Sequence, residues 1–217
     1  MPRVETVSER GGGHQENEDA FAIRAHPADA TLLICVVADG QGGQRGGGPA
    51  ARLACETVVG QASKMPAHLL EEPASWLGIL QAADKAVDAE PVCGFTTLIG
   101  FAVSNRRVCG AANGDSAVAI RYRSVIDDLT KGQEKNPPIG SGFAAVVPFG
   151  AKLKAPWTIL AMTDGVWRFG GWDSIAAAKD KQGKELLDAL LAGARLPAGK
   201  LQDDFTLVVI DSENASA

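Results

Sequence analysis

Four short stretches place carboxylates beside strand-like segments: Asn17-Glu18-Asp19, Ala38-Asp39-Gly40, Thr163-Asp164-Gly165 and Gln202-Asp203-Asp204. Three of them adjoin apolar runs that read as buried strands, over residues 32–37, 158–162 and 205–210. Buried strands hold a backbone rigidly, so carboxylates at their ends can converge on one point. Carboxylates crowded without partners repel one another and are costly to desolvate unless cations neutralise them. An all-oxygen donor set suits hard cations such as Mg2+ or Mn2+. The chemistry this predicts is hydrolysis at a two-metal site.

Duller readings exist for each piece. Asp-Gly after an apolar run is also a hairpin-turn signal, Asp203-Asp204 alone reads as a solvated loop, and Asn113-Gly114 reads as a turn in any case. The joint pattern favours a metal site.

The elements that must position these residues follow from the apolar periodicity. Strands are expected over residues 3–8, 20–24, 31–38, 95–103, 107–112 and 116–123, then 158–162 and 205–210. A flexible glycine loop is expected at Gly42, Gly43 and 46–48, with Pro49 opening a helix to about Ala62. Trp76, Leu80, Ala83 and Val87 recur at helical spacing and predict a helix over 73–89. Leu186, Leu187, Leu190, Leu191 and Ala194 mark another, and Asp173 is placed as the cap of a short one. Residues 124–155 are rich in Gly, Pro and Lys and read as irregular, with one strand at 144–148. Strands in hairpin succession make the sheets mainly antiparallel. The expected class is α+β, with helices covering the outer faces of packed sheets. One domain is expected over residues 1–211, with a frayed polar tail at 212–217.

Composition narrows the function classes. The net charge is −5 and no Lys/Arg block occurs, so no nucleic-acid partner is expected. No apolar run approaches the length of a membrane span and the N-terminus lacks an apolar leader, so a cytoplasmic location without a membrane partner is expected. Cys35, Cys55, Cys93 and Cys109 lack the spacing of a zinc or redox motif and read as reduced thiols, the first two buried. Arg45 and Arg52 could steer phosphate but read better as surface charges, and Trp157, Trp167 and Trp172 read as packing residues.

The motifs together carry a resemblance. In order they are Asn17-Glu18-Asp19-Ala20, Val37-Ala38-Asp39-Gly40-Gln41-Gly42-Gly43, Thr96-Thr97-Leu98, Asn113-Gly114-Asp115-Ser116, Thr163-Asp164-Gly165-Val166-Trp167 and Asp203-Asp204-Phe205-Thr206. This succession, spanning about residues 5–210, closely resembles the PP2C-like (PPM) family of metal-dependent protein serine/threonine phosphatases, bacterial type. The resemblance implies two stacked antiparallel sheets flanked by helices, an α-β-β-α sandwich. It implies two Mg2+ or Mn2+ ions, with Asp39 bridging them and the Gly40 carbonyl on one. Asp164 and Asp203 would ligate the second, Glu18 and Asp19 would hold metal-bound waters, and Asp115 would support the site. Cations about 3.5–4 Å apart lower the pKa of a shared water and offset charge on the phosphoryl group. A phosphorylated protein substrate, an opposing serine/threonine kinase and a monomeric state are the implied partners.

The sequence departs from the family in three places. His14 stands where the family has a phosphate-binding arginine, so phosphate affinity is expected to be weaker and to fall as the imidazole loses its proton. Gln41 stands where many eukaryotic members have a histidine, and it cannot act as an acid at neutral pH, which leaves leaving-group protonation to a metal-bound water. Residues 129–133 lack the carboxylate of a third metal, so a third ion is not assigned, although Asp127 or Asp128 could substitute. The segment 124–155 is also short for the family's mobile flap, which implies broad or partner-supplied substrate selection. Two rivals to a phosphatase follow: a pseudophosphatase that binds phosphorylated partners without turnover, and a structural metal-binding domain.

Overall fold

The computed structural model describes residues 2–42, 46–122 and 125–212. Gly43, Arg45, the last residue of the strand expected over 116–123, the first residue of the segment 124–155 and the tail beyond Ser212 lie outside the described residues.

Two five-stranded sheets stack face to face, as the expected class requires. One contains β2 (Asp19–His26), β3 (Asp29–Asp39), β4 (Leu98–Val103), β5 (Arg107–Asn113) and β8 (Val147–Lys152), hydrogen-bonded in that order. The other runs β1 (Arg3–Glu9), β10 (Phe205–Asp211), β9 (Thr158–Met162), β6 (Ala117–Tyr122), β7 (Val125–Asp128). Every neighbouring pair is antiparallel. Helices α1 (Gly47–Ala62) and α2 (Pro73–Asp88) cover the first sheet. The short helices α3 (Asp164–Gly170) and α4 (Trp172–Ala177), together with α5 (Gly183–Ala194), cover the second.

Strand parity explains why the central runs are apolar throughout. Along β3, Leu32, Ile34, Val36 and Ala38 pack with the α1–α2 layer, while Leu33, Cys35 and Val37 point into the space between the sheets. Along β10, Val208 and Ile210 meet that same interior, and Leu207 and Val209 face α5 and its neighbours. Side chains alternate across a strand, so a strand covered on both faces must be hydrophobic at every position. Trp76 is fully buried beneath the first sheet, and its indole N–H donates to the Leu70 carbonyl at 3.0 Å.

Several expectations needed correction. Helix α1 begins at Gly47, two residues before Pro49, and the backbone of Gly40 and Gln41 passes directly against Gly47 and leaves no room for a Cβ there. The segment 124–155 holds two strands: β7, whose alternating exposure marks it as an edge strand, and β8, displaced from 144–148. Both lie at sheet edges, where one face need not be apolar and the hydrophobic signal is weak. Strand β4 starts at Leu98, with Thr96 in an isolated bridge to Gly40. A 3-10 turn at Ala67–Glu71 and helix α3 had no sequence signal long enough to register. Asp173 lies in the first turn of α4, whose cap is Gly171. Ser212 is not frayed: it is buried, its N–H donates to the Trp157 carbonyl at 3.0 Å, and its hydroxyl accepts the Trp157 N–H at 3.1 Å.

Ile159 is fully buried between the sheets. Ile159→Ala should cost about 2–5 kcal/mol of stability. Phe143→Ala, at a side chain that is 84% exposed, should change stability by less than about 0.5 kcal/mol. Equilibrium denaturation of both variants checks the layer assignment.

Candidate metal centre

Antiparallel pairing brings the acidic motifs to one end of the sandwich. In the first sheet this end holds the start of β2, the end of β3 and the end of β5. In the second it holds the end of β9 and the starts of β6 and β10. Asp39, Asp115, Asp164, Asp203 and Asp204 therefore line one cleft of about 520 Å³.

Asp39 closes β3 directly across from Asp19, which opens β2. The Thr96-Thr97 pair fixes the Asp39 backbone. Thr97 Oγ1 accepts the Asp39 N–H at 2.9 Å, while the Thr97 N–H and Thr96 Oγ1 both donate to the Asp39 carbonyl at 2.8 Å. Among the described residues no donor reaches the Asp39 carboxylate, so its oxygens face the cleft uncompensated. Gly40 lies against the backbones of Gly47 and Glu18, where a Cβ would collide with both.

Asp19 is buried, with Oδ2 accepting the Thr163 hydroxyl at 2.9 Å. Its Oδ1 is buried with no partner, an unusual cost for a carboxylate. Asp164 opens α3, and Arg168 one turn later donates to its Oδ2 at 3.0 Å. Gly165 is obligatory here, since a Cβ would run into the Asp204 carbonyl. Asp203 Oδ1 accepts the Asp204 N–H at 2.9 Å. Asp115 lies in the β5–β6 turn, paired with Lys135 at 2.6 Å. Glu18 contributes its backbone, donating to Asp204 Oδ2 at 2.8 Å and accepting the Gly40 N–H at 3.2 Å.

Asp204 is a residue whose part the motif reading passed over. Its carboxylate is buried and accepts N–H groups from both Gly11 (2.6 Å) and Glu18, so it ties the β1–β2 connection to the start of β10. His14 sits on this connection, with Nδ1 3.1 Å from Asp204 and Nε2 3.6 Å from Asp203. Nδ1 is in contact with the Asp204 carboxylate, at an angle outside a good hydrogen bond. Asp204, with help from Asp203 and Glu18, raises the His14 pKa above its ordinary value. Arg168 was legible as an i, i+4 partner of Asp164 only once a helix was recognised there. Asp128, one of the two carboxylates near the segment that lacks a third-metal ligand, uses Oδ1 to accept from both the N–H and the hydroxyl of Thr130, each at 2.8 Å.

Crowding shows in the acidities. Burial, then the charges of Asp19, Asp164, Asp203 and Asp115, push Asp39 up to about 9. Burial pushes Asp19 up to about 7. Asp164 is also raised, burial outweighing the pull of Arg168. The carboxylates converge without closing: among the described residues no three acidic, imidazole or thiol side chains form a ready-made ligand set. A cation would have to draw them together. Oxygen donors held in this state, one of them buried and orphaned, fit Mg2+ or Mn2+.

Several solved structures share this fold. A bacterial serine phosphatase superposes with a TM-score of 0.81 at 16% identity, covering all of both chains. The serine/threonine phosphatase Stp1 from Staphylococcus aureus gives a TM-score of 0.77 at 17% identity, over 99% of this chain and 96% of that one. The catalytic domain of the serine/threonine protein phosphatase PstP, in complex with two manganese ions, gives 0.75 at 22% identity, over 97% of each chain. No curated protein matches the sequence significantly. The profile of the Stage II sporulation protein E (SpoIIE) family matches residues 29–213, most of the chain, and the protein therefore belongs to this PP2C-like family.

Proposed function

We propose that the protein is a Mg2+- or Mn2+-dependent protein serine/threonine phosphatase. The observation that carries this reading is the convergence of Asp39, Asp164 and Asp203 on one cleft, with the Asp39 carboxylate unpartnered and Asp19 Oδ1 buried without a donor. PstP binds two manganese ions within the same fold, which supports the reading.

The residues divide the work. Asp39, Asp164, Asp203 and the Gly40 carbonyl would hold two cations, with Glu18 and Asp19 engaging through water. Bound there, the cations supply a nucleophilic water near neutral pH and neutralise charge on the phosphoryl group. Thr96 and Thr97 hold Asp39 in place, and α3 aims Asp164 with Arg168 steadying it. Asp204 fixes the connection that carries His14 to the cleft wall, where the imidazole is turned onto Asp203 and Asp204 and would meet a phosphate only by leaving them. Asp115 supports the far wall. Gln41 lines the cleft but has no acidic proton to give a leaving group. The enzyme, monomeric, one-domain and cytoplasmic in this reading, acts on phosphoserine or phosphothreonine in a protein substrate and opposes a serine/threonine kinase. Among the described residues no helix is long and apolar enough to cross a membrane. No observation favours binding without turnover.

Hydrolysis of a phosphothreonine peptide should require Mn2+ or Mg2+, stop with EDTA, and fall at least roughly 100-fold in kcat/KM in Asp39→Asn. Turnover that survives EDTA or Asp39→Asn would overturn the reading.

Stability of the metal-free protein should report the same crowding. Carboxyls raised to about 7 and about 9 on folding stay protonated while their unfolded counterparts ionise. Folding stability therefore declines as pH rises from about 4 towards those values. Without metal, thermal stability should be lower at pH 8 than at pH 5, and Asp39→Asn should raise it at pH 8 by on the order of 1 kcal/mol. Mn2+ should stabilise the native protein and leave Asp39→Asn nearly unmoved. A melting temperature independent of pH and of Mn2+ would count against a cation site.

A further inference from the structure

The cleft is strongly acidic, yet the proposed substrate is an anion. Among its described lining residues, five are aspartates and Lys135 is the one lysine or arginine. His14, on the other wall, is turned onto Asp203 and Asp204. Arg168 is committed to Asp164. A permanent cation for a phosphoryl group is therefore available at Lys135.

Lys135 belongs to an irregular segment that would ordinarily be mobile, but two buried side chains immobilise it. Asn113, at the end of β5, is fully buried, and its amide donates to the carbonyls of Glu134 (3.2 Å), Pro137 (3.0 Å) and Ala145 (3.1 Å). The Gly114 N–H adds a second bond to Glu134 at 2.8 Å. From the other side Asp84, on α2 and 2% exposed, accepts the N–H groups of Gly140 (2.7 Å), Gly142 (3.1 Å) and Ala144 (3.0 Å). One anchor offers donors and the other acceptors, so together they hold both ends of the segment. Lys135 sits between two residues that Asn113 grips directly.

The ion pair with Asp115 does not explain this construction. Lys135 is 64% exposed, and an exposed pair contributes little stability. What the pair does is keep the ammonium on the cleft wall. A phosphoryl group, with more charge than one carboxylate, is the acceptor that would compete for it.

Resting on the phosphatase reading, we infer that Lys135 is the cleft's phosphoryl-binding cation, and that Asp84 and Asn113 are positioning residues that hold it in place. The segment 124–155, short as it is, then carries substrate recognition within this chain.

Calorimetric binding of a phosphothreonine peptide carrying a non-hydrolysable phosphonate in place of the phosphate ester, its unphosphorylated form and inorganic phosphate, all with Mn2+ present, tests this without needing turnover. Lys135→Ala should weaken the phosphopeptide and inorganic phosphate alike, by roughly 10-fold, and leave the unphosphorylated peptide unaffected. Lys135→Arg should restore most of the loss, because charge is kept. Unchanged phosphate affinity in Lys135→Ala would overturn the inference. So would a loss confined to the peptide, which would put Lys135 on the peptide chain instead. Asp84→Asn, if it folds as judged by its melting curve, should raise KM for the phosphopeptide with kcat within roughly twofold. A fall in kcat at constant KM would overturn the positioning role. A wild-type protein that binds phosphate through Lys135 but turns over nothing would sink the phosphatase reading and leave this one standing.

Discussion

Repulsion among carboxylates is the interaction on which the rest of this structure depends. Burial, together with the charges of Asp19, Asp164 and Asp203, holds a proton on Asp39. Such an arrangement persists only where the backbone cannot relax away from it. Strands β3, β9 and β10 provide that constraint, since each is covered on both faces and anchored in two apolar layers at once. Moving Asp39 away from Asp19 would require slipping β3 against β2, which would exchange its two buried faces. Hydrophobic burial over whole strands thus opposes electrostatic strain at their ends, and the strain is what a divalent cation would relieve.

Finer positioning comes from contacts that tolerate no substitution by size. The Asp39 backbone is held by both threonines of the Thr96-Thr97 pair, through side chain and main chain. Gly40 against Gly47 brings the end of β3 onto the start of α1, and Gly165 against Asp204 brings α3 onto β10. At each of these two contacts the missing Cβ permits an approach that other residues would block. Glycine here costs helix propensity at Gly47 and returns a closer packing of the site. Asp204 completes the frame by converting a carboxylate into a backbone tether, with Gly11 and Glu18 as donors.

How much of this was legible in the sequence follows from what each element buries. The central strands and the helices α2 and α5 were readable because their apolar period is complete, and α1 because Pro49 marks its first turn. The acidic residues were readable because they sit where those strands end. Edge strands β7 and β8 were not readable, having one wet face. Helix α3 spans only about two turns, too few for a period to emerge, so the pairing of Arg168 with Asp164 stayed hidden with it. Asp204 looked like a duplicate of Asp203 because sequence cannot say which of two adjacent carboxylates turns inward. Asp84 was invisible as a polar anchor: it lies on the buried face of an otherwise regular amphipathic helix, and its partners are backbone groups some sixty residues away.

The two walls of the cleft are built on different principles, and that difference has a functional consequence. The carboxylate wall hangs on strand ends, where any change propagates into the apolar layers. The opposite wall is an irregular segment whose order comes from Asn113 and Asp84, both of which belong to regular elements and bind only main-chain atoms of the segment. Main-chain anchoring is indifferent to side-chain identity along most of the segment. Residues such as Lys135 and Asn136 can therefore change without loosening the wall or disturbing Asp39 and Asp164. Loops on a rigid scaffold are where binding preferences can vary at least cost to the fold. The geometry separates the residues that hold the acidic cleft from a surface that would be free to vary with the substrate.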